Sequence, residues 1–206
     1  MTKTVILPAD DPVSIRRALE ILGQGGLVAF PTDTVYGVGA LVSKPQAIAQ
    51  LYVVKGRSDE KAIPILLSDI AQLALVALEV SETVRRLADR FWPGPLTLVL
   101  PKQPTLPAEI SSQRTIGVRM PDHPIALALM RQTGPLAVTS ANLSGGENSV
   151  TALQVMAQLG GLIPLILDGG KTPGGSPSTV VDCTAVEPRI LRSGPISLDQ
   201  ILEALS

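Results

Sequence analysis

The chain has 206 residues, a formal net charge of −1, 45% hydrophobic residues and only 2% aromatic ones. That length suits one domain with a sizeable buried core, built here from Leu, Ile, Val and Ala. The charge balance excludes a protein whose main business is coating nucleic acid, which needs a strong basic excess, but leaves room for a local basic pocket. In chain order, Asp11-Pro12 caps and starts a helix with Ile15, Leu19 and Leu22 on one face and Gly23, Gly25 and Gly26 past its end. A strand over Leu27–Phe30 follows and breaks into the polar, glycine-containing run Pro31-Thr32-Asp33-Thr34-Val35-Tyr36-Gly37. The pattern then predicts a helix from Pro45 to Val53, a buried strand over Ile63–Leu67, helices over Asp69–Ala77 and Glu82–Phe91, a stop at Trp92-Pro93-Gly94-Pro95, and a strand over Leu96–Leu100. The second half predicts strands at Ile116–Arg119, Leu136–Thr139, Leu162–Leu167, Thr179–Asp182 and Arg189–Leu191. Its helices fall at Ile125–Gln132, Ala152–Leu159 and Leu198–Leu205. The reading is a single α/β domain over residues 1–206. Its strand connections are not uniformly β-helix-β, so the sheet is mixed rather than fully parallel. The Gly- and Pro-rich segment Asp168–Ser178 is expected to be a mobile or ligand-closing loop.

Cys183 is the only cysteine, which excludes an internal disulfide and a CxxC zinc site. Met1 to Pro8 lacks the pattern of a signal peptide. The apolar stretch Leu73 to Val80 is far short of the roughly 20 residues that span a bilayer, so the expectation is a cytoplasmic protein without a membrane partner. With one histidine, His123, and one cysteine, nucleophilic triads are poorly supported, and His123 reads as a surface or structural residue.

Three polar clusters carry the chemistry. The first is the hydroxyl and carboxylate run that ends the Leu27–Phe30 strand, where open α/β sheets place ligands. The second is Lys55-Gly56-Arg57. In an extended loop, i and i+2 project together, so these cations crowd each other unless an anion sits between them, and removing either is expected to leave stability almost unchanged. The alternative reading is a solvated helix end. The third is Ser140-Ala141-Asn142, aimed together by the same spacing, with an Asn-based turn as its alternative. Arg119 ends a predicted strand and suits bidentate capture of a carboxylate or phosphate, or a structural ion pair. Gly169-Gly170-Lys171-Thr172 mimics the tail of a P-loop, but Leu165 stands where that motif needs a glycine.

In order, these pieces resemble the YrdC/TsaC family of threonylcarbamoyl-AMP synthases across nearly the whole chain. The matching segments are Pro31–Gly37, Lys55–Arg57, Trp92–Thr97, Thr115–Pro121, Thr139–Gly145, Pro177–Asp182 and Arg192–Gly194. Lys55 and Arg57 with Ser140 and Asn142 look like the tetrad of active synthases, which the related YciO branch lacks. The resemblance implies an open, twisted, mixed sheet with flanking helices around a large basic cavity. It also implies synthesis of L-threonylcarbamoyl-AMP and pyrophosphate from L-threonine, bicarbonate or CO2, and ATP. Other proteins then transfer the threonylcarbamoyl group to the tRNA adenosine beside the anticodon. The alternatives are an RNA-recognising module without chemistry, or a related acyl-adenylate or carbamoyl-transfer enzyme acting on another amine.

Carried over residue by residue, the resemblance gives Lys55, Arg57, Ser140 and Asn142 the catalytic and ATP-binding roles. Thr115, Ser178 and Arg192 complete the ATP side, Thr34, Arg119, Thr139 and Thr179 surround threonine, and Tyr36 walls the pocket. Magnesium is expected to arrive with ATP, because no dense carboxylate cage exists. Weak tRNA contact is a further expectation. The chain departs from the family in having Ser58 after Arg57, where proline is usual. It also lacks, within Pro64–Ser68, the histidine that touches threonine in many members.

Overall fold

The computed structural model describes residues 2–206 apart from Arg57, Asp59, Glu60 and Val186. Its strands are β1 (Val5–Pro8), β2 (Val28–Phe30), β3 (Gly37–Leu41), β4 (Ile65–Leu66), β5 (Leu96–Pro101), β6 (Thr115–Arg119), β7 (Leu136–Ser140), β8 (Leu165–Asp168), β9 (Thr179–Asp182) and β10 (Arg189–Arg192). Its helices are α1 (Pro12–Gly23), α2 (Pro45–Lys55), α3 (Leu73–Val76), α4 (Glu82–Phe91), α5 (Pro124–Thr133), α6 (Ala152–Leu159) and α7 (Leu198–Leu205). All strands join one ten-stranded sheet in the order β1-β8-β2-β3-β7-β4-β6-β5-β9-β10. The pairs β1/β8, β2/β8, β4/β6 and β5/β9 are parallel, and the other five are antiparallel, so the sheet is mixed and open, as expected.

Helices cover both faces. Ala18, Ile21 and Leu22 of α1 and Ala126, Leu129 and Met130 of α5 pack on Val28, Phe30, Leu66, Leu136, Val138, Leu165 and Leu167. The opposite face carries Ala29, Val38, Ala40, Ile65, Leu98, Val118 and Ala137 against the apolar sides of α2, α4, α6 and α7. Local chemistry sets the helix starts. Asp11 accepts from Val13 N at 3.0 Å, and capping boxes open α6 at Thr151/Gln154 and α7 at Ser197/Gln200. Gly56 ends α2 in the left-handed conformation (φ 58°) that favours glycine.

Two strands lie outside the sequence reading, β1 and β3. Strand β3 carries Gly37 and Gly39, and Gly37 closes the polar run to which the sequence reading gave no strand. They are strand residues because β3 is pressed between neighbours: a Cβ at Gly37 would stand 2.7 Å from Val138 Cγ1. The expected helix over Asp69–Ala77 is a 3₁₀ turn at Ile70–Gln72 followed by the single turn of α3.

Pairing register places one set of side chains on a single face. Gly37 faces Ser140, Leu66 faces both Leu136 and Arg119, and Thr97 stands beside Arg119 across β5/β6. Val180 faces Thr97 on one side and Arg192 on the other. Side chains alternate with period two, so Ser140, Val138, Leu66, Arg119, Thr97 and Arg192 share a face. This is the face of α1 and α5, where it runs beyond the cover of those helices. The site therefore lies on a sheet face crossed by the Pro31–Tyr36 segment, whereas the sequence reading placed it at the strand edge.

Candidate active site

The Pro31–Tyr36 segment is shaped by its own hydroxyls. Thr32 Oγ1 donates to Val35 O at 2.7 Å and accepts from Thr34 N at 3.2 Å, with Thr34 Oγ1 3.0 Å away. Arg119 reaches this turn from β6. Its Nη1 donates to Thr34 Oγ1 at 3.0 Å, its Nε to Gly94 O at 2.9 Å, and its Nη2 is ion-paired with the Asp33 carboxylate. The Arg119 residue is only 6% exposed. Burial pulls its pKa down, Asp33 pulls it back up, and Arg192 adds a smaller repulsion. A guanidinium stays charged through such opposing effects. The ion-pair alternative for Arg119 is thus realised, and the same side chain also lines a cavity.

On the other flank, Ser178 Oγ lies 2.8 Å from Thr97 Oγ1, and Arg192 clamps Ser178 through Nε and Nη2 to its carbonyl at 3.1 and 2.8 Å. Lys55 works from behind the wall. It is 2% exposed, and its Nζ donates to the carbonyls of Ser140 and Asn142, the latter at 2.7 Å, with Ser140 Oγ at 3.5 Å. Ser144 N adds a bond to Lys55 O at 2.8 Å. The structure thus joins Lys55 to the Ser140–Asn142 segment. Asn142 spends its amide N–H groups on Leu143 O and Gly146 O, and its Oδ1 is buried without a hydrogen-bond partner. Arg57 lies outside the described residues.

These elements enclose a cavity of about 200 Å³. Thr34, Tyr36, Arg119, Thr139, Ser140, Ser178 and Arg192 stand on its wall, and the wall holds no carboxylate among the described residues. Four of the expected site residues are not on this wall: Lys55 and Asn142 lie behind it, and Thr179 and Thr115 stand elsewhere. Thr179 is wholly buried, and its hydroxyl donates to Ile196 O and accepts from Ile196 N, both at 2.9 Å. Thr115 is at the far end of β6 from Arg119, about 13 Å away at the strand rise. In the Pro64–Ser68 segment, Ser68 N donates to Gln72 Oε1 at 3.0 Å, and Pro64 and Leu66 stand on the cavity wall.

The sequence reading gave no role to Thr97 or Asn148, and Asp33 entered it only as the carboxylate of the Pro31–Gly37 run. Thr97 had a signal: it is the one polar residue in Leu96–Leu100, and it marks the face that holds the site. Asn148, also on the wall, had none. His123 caps α5, with Nδ1 accepting from Ile125 N at 3.3 Å, so the ring is neutral in that bond. Burial pushes the Cys183 thiol up to about 12, which makes it an inert apolar filler. No helix among the described residues is long and apolar enough to cross a membrane.

The Sua5/YciO/YrdC family model, described as "Telomere recombination", matches residues 20–194. The chain belongs to this family. It is 42% identical over 198 residues to the threonylcarbamoyl-AMP synthase of Bacillus subtilis, covering 95% of this chain and 57% of that protein. The structure of Pyrococcus abyssi Sua5 complexed with L-threonine superposes with a TM-score of 0.92 at 40% identity, covering 100% of this chain and 61% of that one. Escherichia coli YciO superposes with a TM-score of 0.86 at 28% identity, covering 98% and 100% respectively. The chain thus spans between half and two thirds of the length of the first two.

Proposed function

We propose that the chain is an L-threonylcarbamoyl-AMP synthase, a nucleotidyltransferase that makes threonylcarbamoyl-AMP and pyrophosphate from L-threonine, bicarbonate or CO2, and ATP. The observation that carries this reading is the cavity wall: two arginines and a ring of hydroxyls, with no carboxylate on the wall among the described residues and the Asp33 carboxylate paired with Arg119. Such a wall suits a reaction whose participants are a triphosphate, a carbamate and an amino-acid carboxylate. It offers positioning and preorganised positive charge rather than a nucleophile. The named relatives support the same reading.

Arg119 holds the threonine carboxylate, with Thr34 beside it and Thr139 next to Ser140 on the cavity wall. Ser140, Ser178 and Arg192 face the nucleotide, Asn148 stands with them, and Lys55 fixes Ser140 while lending its charge from beneath. The amine of threonine and CO2 give a carbamate, whose oxygen attacks the α-phosphorus, and pyrophosphate leaves. The neutral oxygens of the wall suit magnesium delivered as MgATP. Among the described residues no cluster of three or more His, Cys, Asp or Glu could hold a resident ion. The product goes to cytoplasmic tRNA threonylcarbamoyl-transfer proteins, and any direct tRNA contact is weak.

Separate calorimetric titrations test the substrate map. ATP and L-threonine should each bind, and Arg119→Lys should weaken threonine by about 2–3 kcal/mol, because a point charge does not replace a planar fork. ATP affinity should change much less. Collapse of ATP affinity with threonine affinity intact would place Arg119 on the nucleotide side instead, and failure of threonine to bind the unaltered protein would overturn the substrate assignment.

A further inference from the structure

We propose that Tyr36 is a positioning residue whose hydroxyl fastens the 168–178 strap beside the cavity, and that this fastening keeps water from the α-phosphorus during the reaction. The inference rests on the synthase reading for its chemistry, but the fastening itself stands on geometry alone.

Tyr36 is fully buried, and its ring packs into the core beneath the helices of the opposite face. Phenylalanine would meet that packing equally well. The hydroxyl, in contrast, spends its bonds on the strap: it donates to Gly170 O at 2.8 Å and accepts from Gly169 N at 3.2 Å. Asp168 Oδ1, 3.4 Å from the hydroxyl, is taken by Gly170 N at 2.9 Å. Burial pushes the phenol up to about 12, so the donor persists at every pH at which the protein would work.

The rest of the strap is seated on Thr34 of the same motif and on Val150. Gly175 N donates to Thr34 O at 2.8 Å, and Thr172 N to Val150 O at 2.9 Å. Gly174 lies so close that a Cβ there would stand 2.9 Å from Thr34 Cα. The strap then delivers Pro177 and Ser178 to the cavity wall. Tyr36 and Thr34 therefore hold one end of a segment whose other end is a wall of the site.

The consequence is a choice between two attacks on the α-phosphorus. In the productive one the carbamate oxygen forms the new P–O bond and pyrophosphate leaves. In the leak a water oxygen forms it, pyrophosphate leaves, and AMP and a proton result. A loose strap admits water and raises the leak.

The test is Tyr36→Phe, with Gly174→Ala as a second variant that lifts the strap by crowding and leaves the hydroxyl intact. In hydrogen exchange, the amides of residues 169–175 should exchange about tenfold or more faster in Tyr36→Phe, while those of β7 stay protected. With ATP, bicarbonate and threonine, the ratio of AMP to threonylcarbamoyl-AMP should rise about fivefold or more in both variants. Strap amides as slow in Tyr36→Phe as in the unaltered protein would overturn the fastening. Faster amides with an unchanged product ratio would overturn the exclusion of water. If the unaltered protein makes no threonylcarbamoyl-AMP, the synthase reading fails, while the exchange experiment still decides the fastening. Should Tyr36→Phe fail to fold, Gly174→Ala decides the exclusion of water, and the Gly169 amide of the unaltered protein, which donates to the Tyr36 hydroxyl, decides the fastening: slow exchange is expected, and exchange as fast as that of an open loop would overturn it.

Discussion

Lys55→Ala is expected to lose roughly 100-fold or more of pyrophosphate release, the scale of removing preorganised charge from a transition state. It should also lose about 3 kcal/mol of stability, because it strands the Ser140 and Asn142 carbonyls that the ammonium now satisfies. In a chain of this size that is a fall of roughly 6–12 °C in Tm. The second half of this result reverses the sequence expectation that removing a crowded cation leaves stability unchanged. The crowding argument assumed an extended loop, but Lys55 is the last residue of α2 and points inward, 2% exposed. Ser140→Ala separates the two effects. It removes only the hydroxyl on the cavity wall, and its activity should fall with Tm nearly intact. Lys55→Ala with unchanged Tm, measured by calorimetry, would show that the two carbonyls find other partners.

Asp33→Ala should be the most destabilising single change around the site, at about 3–5 kcal/mol, because it leaves a guanidinium charge buried and uncompensated. Asp33→Asn should cost less, since an acceptor remains for Arg119 Nη2. In a double-mutant cycle, Asp33→Ala combined with Arg119→Ala should recover a clear part of the loss, because no charge is then stranded. Simple addition of the two single losses would mean that the pair is not coupled. Threonine affinity should fall in Asp33→Ala as well, since the fork it aligns would lose one of its anchors.

The parts of the fold that the sequence made legible are those with strong periodicity and punctuation. Helix α1 announces itself through Asp11-Pro12 and its closing glycines, and α4 stops at Trp92-Pro93. Strand β3 was hidden because its glycines carry no side-chain pattern, and their reason, contact with Val138 and Phe30, is tertiary. The site was legible as residue types but not as a place. The strand-end argument located the hydroxyls of the Thr32–Thr34 run, yet register and the crossing of that run over the sheet put the cavity on a face. Thr179 shows the limit of motif transfer, since the residue before it reaches the wall while its own hydroxyl braces Ile196. Asp33 stood in the most informative motif of the chain, but only the buried partner reaching from β6 gives its carboxylate a role.

The chemistry proposed for this cavity is formation of a carbamate from threonine and its attachment to the α-phosphate. Incubation of the protein with MgATP, L-threonine and ¹³C-bicarbonate, followed by mass spectrometry, tests it most directly. The expected result is pyrophosphate release that depends on threonine and bicarbonate, with one ¹³C in a threonylcarbamoyl-AMP product. Equal pyrophosphate release without threonine, or the same product from other amino acids at the same rate, would contradict the assignment.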